Sequence, residues 1–239
     1  MLYLWPYITF FSLPLLIGPV LQPFLSFLPA NFQSMCEEGL NAHGVSILPT
    51  PLVSMVILIS GLIAVNVNTI IHPYTLADNR HYVFYVFRIF RLHPATKYLA
   101  VPVYYVCSWL ALQALASPAS DKDDAKSKRE NKSTSNEADG QLQISFITIW
   151  LVTTALSVMT APLVEPRYFI IPWIIWRLHV PYTLASRLRN LPNSKTVYDK
   201  RLVLESIWLL AINAAVSYTF LFCTFSWPSE PDNKQRFIW

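Results

Sequence analysis

The stretch ILPTPLVSMVILISGLIAVNVNTII, residues 47–71, carries no charged side chain from end to end. About 20 residues of helix cross the roughly 30 Å of bilayer hydrocarbon, so this stretch is long enough to span it. A soluble domain could hide such a helix only in a large core, and the rest of the chain offers none. Of its 239 residues 54% are hydrophobic and 13% charged, and mean hydropathy is +0.37. An ordinary soluble domain is about 25% charged. Of the 32 charged residues, 11 fall between residues 117 and 141, leaving 21 for the other 214. A chain with so few charges cannot close around one core and also solvate its outside. These proportions exclude a soluble enzyme, a DNA-binding domain and a disordered tail, and they predict an all-α, polytopic membrane protein in contact with the lipid bilayer.

Working outward, similar runs recur. Residues 1–36 form another long uncharged run, with Pro6, Pro14, Pro19, Pro23 and Pro29 inside it. No Lys or Arg precedes it and no small-residue cleavage site ends it, so it does not read as a signal peptide. It predicts a kinked span near 2–28, because membrane helices tolerate proline where neighbours satisfy the freed carbonyls. A chain that opens inside a span is expected to be part of a larger domain. Further spans are predicted at about 98–117, 144–164 and 202–226, the last holding only Glu205. The segment Tyr168–Ser186 contains Pro172, Arg177, His179 and Pro181, and fits a half-helix or re-entrant segment as well as a crossing. The expected total is about five or six transmembrane helices in one partial transmembrane domain covering 1–239. If Tyr168–Ser186 does not cross, eleven basic residues in 72–97 and 165–201 share one face against seven on the other, which would place the richer face in the cytosol.

Residues 117–143 are polar, charged and low in complexity, and are expected to form a disordered loop between spans. Asp121-Lys122-Asp123 matches a metal-holding Asp-x-Asp pattern that chance supplies in so acidic and basic a stretch. Asn131-Lys132-Ser133 is a glycosylation acceptor pattern and would report the side of the membrane on which the loop lies. Net charge +4 and pI ≈ 8.9 call for no nucleic-acid partner. Cys36, Cys107 and Cys223 are too scattered for a disulfide framework or a zinc site, and no metal or cofactor is expected.

Two segments gather chemistry. His72-Pro73-Tyr74-Thr75-Leu76-Ala77-Asp78-Asn79-Arg80-His81-Tyr82 follows an apolar span and brings a carboxylate, an amide, a guanidinium, two imidazoles and two phenols into eleven residues. The next nine, Val83 to Arg91, read as an interfacial helix, aromatic on one side, with Arg88 and Arg91 one turn apart. Arginine suits phosphate because its planar fork donates paired hydrogen bonds. The plainer reading is an ordinary membrane junction, where aromatics sit at the interface and arginines snorkel to headgroups. The second segment is Glu165-Pro166-Arg167-Tyr168, where charges close to hydrocarbon either pair locally or face a cavity. Snorkelling accounts for Arg177 and His179, while His43, His93 and the Glu37-Glu38 pair read as loop residues. The residues alone define a polytopic membrane protein with an anion-binding rim.

The segments HPYTLADNRHYVFYVFR, LVEPRYFIIPWIIWRLHVP and FSWPSEPDNKQRFIW resemble one family, the dolichyl-phosphate-glucose-dependent α-1,2-glucosyltransferases of the endoplasmic reticulum. The resemblance covers most of the chain, is weakest over the first seventy residues, and is that of the family's C-terminal portion. It implies a multi-pass GT-C-type helical bundle in the endoplasmic reticulum membrane. It also implies a dolichyl phosphate glucose donor and a dolichyl-pyrophosphate-linked, diglucosylated oligosaccharide acceptor. The reaction would invert a β-linked donor to an α-1,2 product. A carboxylate would take the proton of the acceptor hydroxyl while dolichyl phosphate leaves, its charge stabilised by basic and hydrogen-bonding groups. On this resemblance Asp78, Asn79, Arg80, His81, Tyr82, Arg88, Glu165, Arg167 and Tyr168 become candidates for holding donor or acceptor phosphate. The family's acidic Asp-Glu-x-Phe-His stretch, where its catalytic carboxylate is expected, is absent from this sequence, so no catalytic base is assigned and Asp78 and Glu165 are second choices. Two other functions remain compatible with the residues: a non-catalytic membrane scaffold or regulatory fragment retaining the donor-side half, and a transporter of anionic lipids.

Overall fold

The computed structural model describes residues 1–17, 49–68, 82–115, 133–159, 165–180, 200–227 and 230–236. Most of these residues are helical. In chain order the helices are α1 (Leu4–Phe11), α2 (Leu13–Leu16), α3 (Pro51–Asn68), α4 (Tyr82–Leu92), α5 (Thr96–Leu115), α6 (Ser133–Met159), a 3-10 turn (Pro166–Phe169), α7 (Ile170–His179) and α8 (Lys200–Phe222). Two strands follow, β1 (Thr224–Trp227) and β2 (Glu230–Arg236).

Local chemistry sets most boundaries. Ser12 separates α1 from α2, and Pro14 lies in the first turn of α2, where its missing N–H costs nothing. This is the expected kink of the first span; residues 18–28 of that span lie outside the described residues. Pro51 opens α3 for the same reason. Val180 ends α7 in an extended conformation (φ −69°, ψ 120°), and Pro181 follows it. A residue before proline is pushed out of the helical region. At about 15 Å, α7 covers half the hydrocarbon thickness, so the described part of Tyr168–Ser186 is a half-helix.

Two features depart from expectation. Helix α6 begins at Ser133, inside the stretch expected as loop, and residues 117–132 lie outside the described residues. The apolar run beyond residue 144 supplies the nucleus, and extending a formed helix backward through Glu137, Ala138, Gln141 and Leu142 is cheap compared with starting one. The chain is also not wholly helical. β1 pairs antiparallel with β2, Thr224 opposite Arg236, Phe225 opposite Gln235 and Ser226 opposite Lys234, with a register irregularity after Ser226. The fifth expected span therefore ends at Phe222, not 226.

Among the described residues α5 and the Arg201–Phe222 part of α8 are long and apolar enough to cross a membrane, while Pro51–Val67 and Gln143–Val158 are shorter apolar helices. Only 6% of the apolar window of α8 is buried, so it is not the core helix of a soluble protein. Leu204, Leu210, Leu221 and Phe222 lie bare along it, and an apolar helix bare all round needs an apolar medium.

The chain divides into two units, residues 1–48 with 108–202, and 49–107 with 203–239. The first has a core built on tryptophan. Trp176 is completely buried and its Nε1–H donates to the Ala111 carbonyl at 3.0 Å. Trp150 donates to the Pro172 carbonyl at 3.0 Å, and Trp173 to the hydroxyl of buried Ser12 at 3.0 Å. These three bonds tie α2's entry, α5, α6 and α7 together while satisfying every buried indole donor among them. Leu4, Ile8, Leu16, Leu110, Ala111 and Phe169 fill the space between.

In the second unit α3 packs on α5 at Gly61. A Cβ placed on Gly61 would meet Val101 Cγ1 at 2.8 Å, so only glycine permits this approach. Close contact through a small residue is the usual way helices associate in lipid. The Ser54 and Tyr105 hydroxyls share a hydrogen bond of 2.7 Å, and Tyr98 donates to Asn66 at 2.7 Å, so the same two helices are joined at three levels.

Candidate functional site

Helix α4 carries the first group of candidates. Tyr82 is its first residue; Asp78, Asn79, Arg80 and His81 lie outside the described residues. The helix turns Phe87 inward and buries it, with Val83 and Phe90 half-buried beside it. Phe87 and Phe90 meet edge to face at 6.3 Å. The helix read from the sequence is present over Tyr82–Leu92, but its aromatics are not on one side: Phe87 turns inward while Tyr85 is exposed and Phe84 lies with Arg88.

Arg88 and Arg91 are exposed on another side of α4. Together with Phe84 and Leu92 they line a concavity of about 340 Å³. The Arg88 guanidinium lies 5.9 Å from the Phe84 ring centre, within cation–π range. The spacing 84, 88, 91 follows one helical edge, so the sequence positions put these groups together without help from any other element. Arg91 was not among the residues the resemblance singled out. Its signal was the one-turn spacing to Arg88, and what the sequence did not show is that both guanidiniums border the same hollow.

A tight corner fixes the angle at which α4 meets α5. The Thr96 hydroxyl donates to the His93 carbonyl at 2.6 Å and to Phe90 at 3.0 Å, capping the last turn of α4. The Ala95 N–H donates to His93 Nδ1 at 3.1 Å. His93 is therefore a loop residue with a structural hydrogen bond, as its isolation in the sequence implied.

Glu165, Arg167 and Tyr168 are brought together by one turn of 3-10 helix in the other unit. Glu165 is extended (φ −112°, ψ 142°), Pro166 starts the turn, and Phe169, 3% exposed, anchors it in the core. The Tyr168 N–H donates to the Glu165 carbonyl at 3.1 Å. The Arg167 Nε pairs with a Glu165 carboxylate oxygen, and the guanidinium lies 5.6 Å from the Tyr168 ring centre. The Glu165 charge, and next the Tyr168 hydroxyl, raise the guanidinium above its ordinary pKa, so it stays cationic at every physiological pH. The Arg167 side chain is 69% exposed. The local ion pair weighed from the sequence is what forms, and it leaves the cation facing outward.

His179 has a contact that snorkelling did not anticipate. Its ring stacks on Phe146 at 3.7 Å and 14°, and Nδ1 donates to the Ile175 carbonyl at 2.8 Å. Among the described residues no group of three or more His, Cys, Asp or Glu side chains comes together to hold a metal.

These elements define a helical protein with apolar helices of membrane-crossing length, carrying an arginine pair beside Phe84 on one helix and an outward-facing arginine held by glutamate on a short turn. The chain belongs to the DIE2/ALG10 family, whose model matches residues 1–178. It is 38% identical, over its whole length, to a protein of Aspergillus fumigatus named Dol-P-Glc:Glc(2)Man(9)GlcNAc(2)-PP-Dol alpha-1,2-glucosyltransferase, covering 49% of that protein. It is 35% identical to the protein of the same name from Emericella nidulans (100% of this chain, 49% of that protein), and 36% identical to the one from Mus musculus (72% of this chain, 28% of that protein). The chain thus spans about half the length of the fungal relatives. No solved structure matches it.

Proposed function

We propose that the chain serves the transfer of glucose from dolichyl phosphate glucose to the diglucosylated, dolichyl-pyrophosphate-linked oligosaccharide, forming an α-1,2 linkage in N-glycan precursor assembly. The observation that carries this reading is the 38% identity to a relative of that name across the whole of this chain. The apolar helices α5 and α8, both of membrane-crossing length, support a multi-pass protein of the endoplasmic reticulum membrane, in a GT-C-like bundle of five or six spans. Acceptor and donor are both lipid-borne, so their phosphates stay at the bilayer surface, where arginines at helix ends are within reach.

In this reading the sugar C1–O bond to the donor phosphate breaks as the acceptor 2-hydroxyl attacks from the opposite face. The hydroxyl proton passes to a carboxylate, and dolichyl phosphate leaves with an added negative charge. Candidate donors to this charge are Arg80 and Arg88, with Asn79, His81 and Tyr82, in one segment, or Arg167 and Tyr168 in the other. Asp78 and Glu165 are the carboxylates of these segments; Glu165 already engages Arg167, which suits it to positioning.

The test is expression in cells lacking the transferase, followed by sizing of the lipid-linked glycan. Appearance of the triglucosylated form supports the reading; persistence of the diglucosylated form shows that this chain alone does not transfer. A second reading is a non-catalytic membrane scaffold or regulatory fragment retaining the donor-side half. Arg80→Ala separates the two: a scaffold tolerates it, a phosphate site does not.

A further inference from the structure

We propose that the hollow between Arg88 and Arg91 seats the phosphate of an isoprenoid lipid, with the lipid chain lying along the exposed strip Tyr85, Ile89 and Leu92 of the same helix. The inference rests on the reading that this chain handles a lipid phosphate, and adds Arg91, Phe84 and the apolar strip to it.

Three observations carry it. Arg88 and Arg91 are three residues apart, about 4.5 Å along the axis, so their forks can grip one phosphate from two sides. Both guanidiniums are exposed, so an anion can reach them. The hollow of about 340 Å³ has an aromatic wall in Phe84 and room for a phosphate. The adjoining strip is apolar and bare: Leu92 is 75% exposed, Ile89 55% and Tyr85 39%. A helix with a buried face, a basic edge and a bare apolar edge lies in the membrane interface, the basic edge at phosphate depth.

The experiment uses the full chain, purified in detergent, with farnesyl phosphate as the probe and native mass spectrometry as the readout. Farnesyl phosphate is expected to bind saturably, and Arg88→Ala or Arg91→Ala to weaken it roughly tenfold or more, since each removes a charge-assisted hydrogen bond. Lys234→Ala, on the hairpin strand β2 and outside the lining of the hollow, is expected to leave binding unchanged. Farnesol, inorganic phosphate and phosphatidylserine are expected to compete at least tenfold less well. If an alanine variant fails to fold, Arg88→Gln with Arg91→Gln keeps a polar helix edge and removes the charge; it is expected to melt like the parent and to lose binding. Binding that is indifferent to both arginines overturns the proposal. So does equal competition by farnesol, which would mean an apolar surface only, by inorganic phosphate, which would mean a general anion site, or by phosphatidylserine, which would mean a bilayer headgroup contact. Arginine-dependent binding without glucose transfer in cells would sink the proposed activity and leave this site standing; transfer without arginine-dependent binding would do the reverse.

Discussion

Replacing Trp176 tests whether the tryptophan-centred core holds the first unit together. The side chain has no exposed surface, and its Nε1–H donates to Ala111 in α5 at 3.0 Å. Trp176→Ala removes the indole and leaves a cavity, which typically costs about 3–5 kcal/mol. Lipid is itself apolar, so lost packing dominates over lost water transfer and the lower figure applies. For a chain of this length each kcal/mol moves the melting midpoint by roughly 2–4 °C, so Trp176→Ala should lower it by roughly 6–12 °C. Trp176→Phe keeps a ring in the site and removes the hydrogen bond. The Ala111 carbonyl keeps its place in the α5 ladder and is not orphaned. The cost is then about 1 kcal/mol, or roughly 2–4 °C. Far-UV circular dichroism of the detergent-solubilised chain reads both midpoints without relying on tryptophan emission. If Ala proves as mild as Phe, packing at Trp176 does not hold the unit; if Phe proves as severe as Ala, the single hydrogen bond outweighs the ring, and the reasoning fails the other way.

Gly61→Ala should destabilise by about 1 kcal/mol or more, because β-branched Val101 cannot rotate away from the new methyl; Val101→Ala in the same chain should restore most of it, and a purely additive pair would refute the contact. A double-mutant cycle on Ser54→Ala and Tyr105→Phe should give a coupling of about 0.6 kcal/mol, as membrane hydrogen bonds do; zero coupling would mean the hydroxyls are independent. Glu165→Gln should leave the melting midpoint where it is, since Arg167 faces outward, but reduce glucose transfer if Arg167 is held for a phosphate; a large fall in midpoint would mark the pair as structural.

Much of the architecture was legible because it follows from one-dimensional patterns. The apolar runs at 47–71, 98–117, 144–164 and 202–226 correspond to α3, α5, α6 and α8. The one-turn spacing of Arg88 and Arg91 needed only a helix to become a pair. The Glu165–Arg167 contact is confined to neighbours in the chain, so its local reading was available from the sequence too. Boundaries were less legible. The start of α6 at Ser133 depends on how far a stable apolar helix propagates into polar residues, which composition does not reveal. The hairpin after Phe222 depends on pairing across a turn, which no helical periodicity predicts. Residues 78–81, central to the expected site, lie outside the described residues.

The sequence by itself determined the medium, the helical class and the family, because these depend on which residues are present and in what order. Tertiary structure alone decided which side chains share a space. Trp176 reaches Ala111 across 65 positions and Trp173 reaches Ser12 across 161, contacts that no local pattern encodes. It also decided that Arg88, Arg91, Phe84 and Leu92 border one hollow while Phe87 turns inward, since the exposed side of a helix is set by what packs against the other.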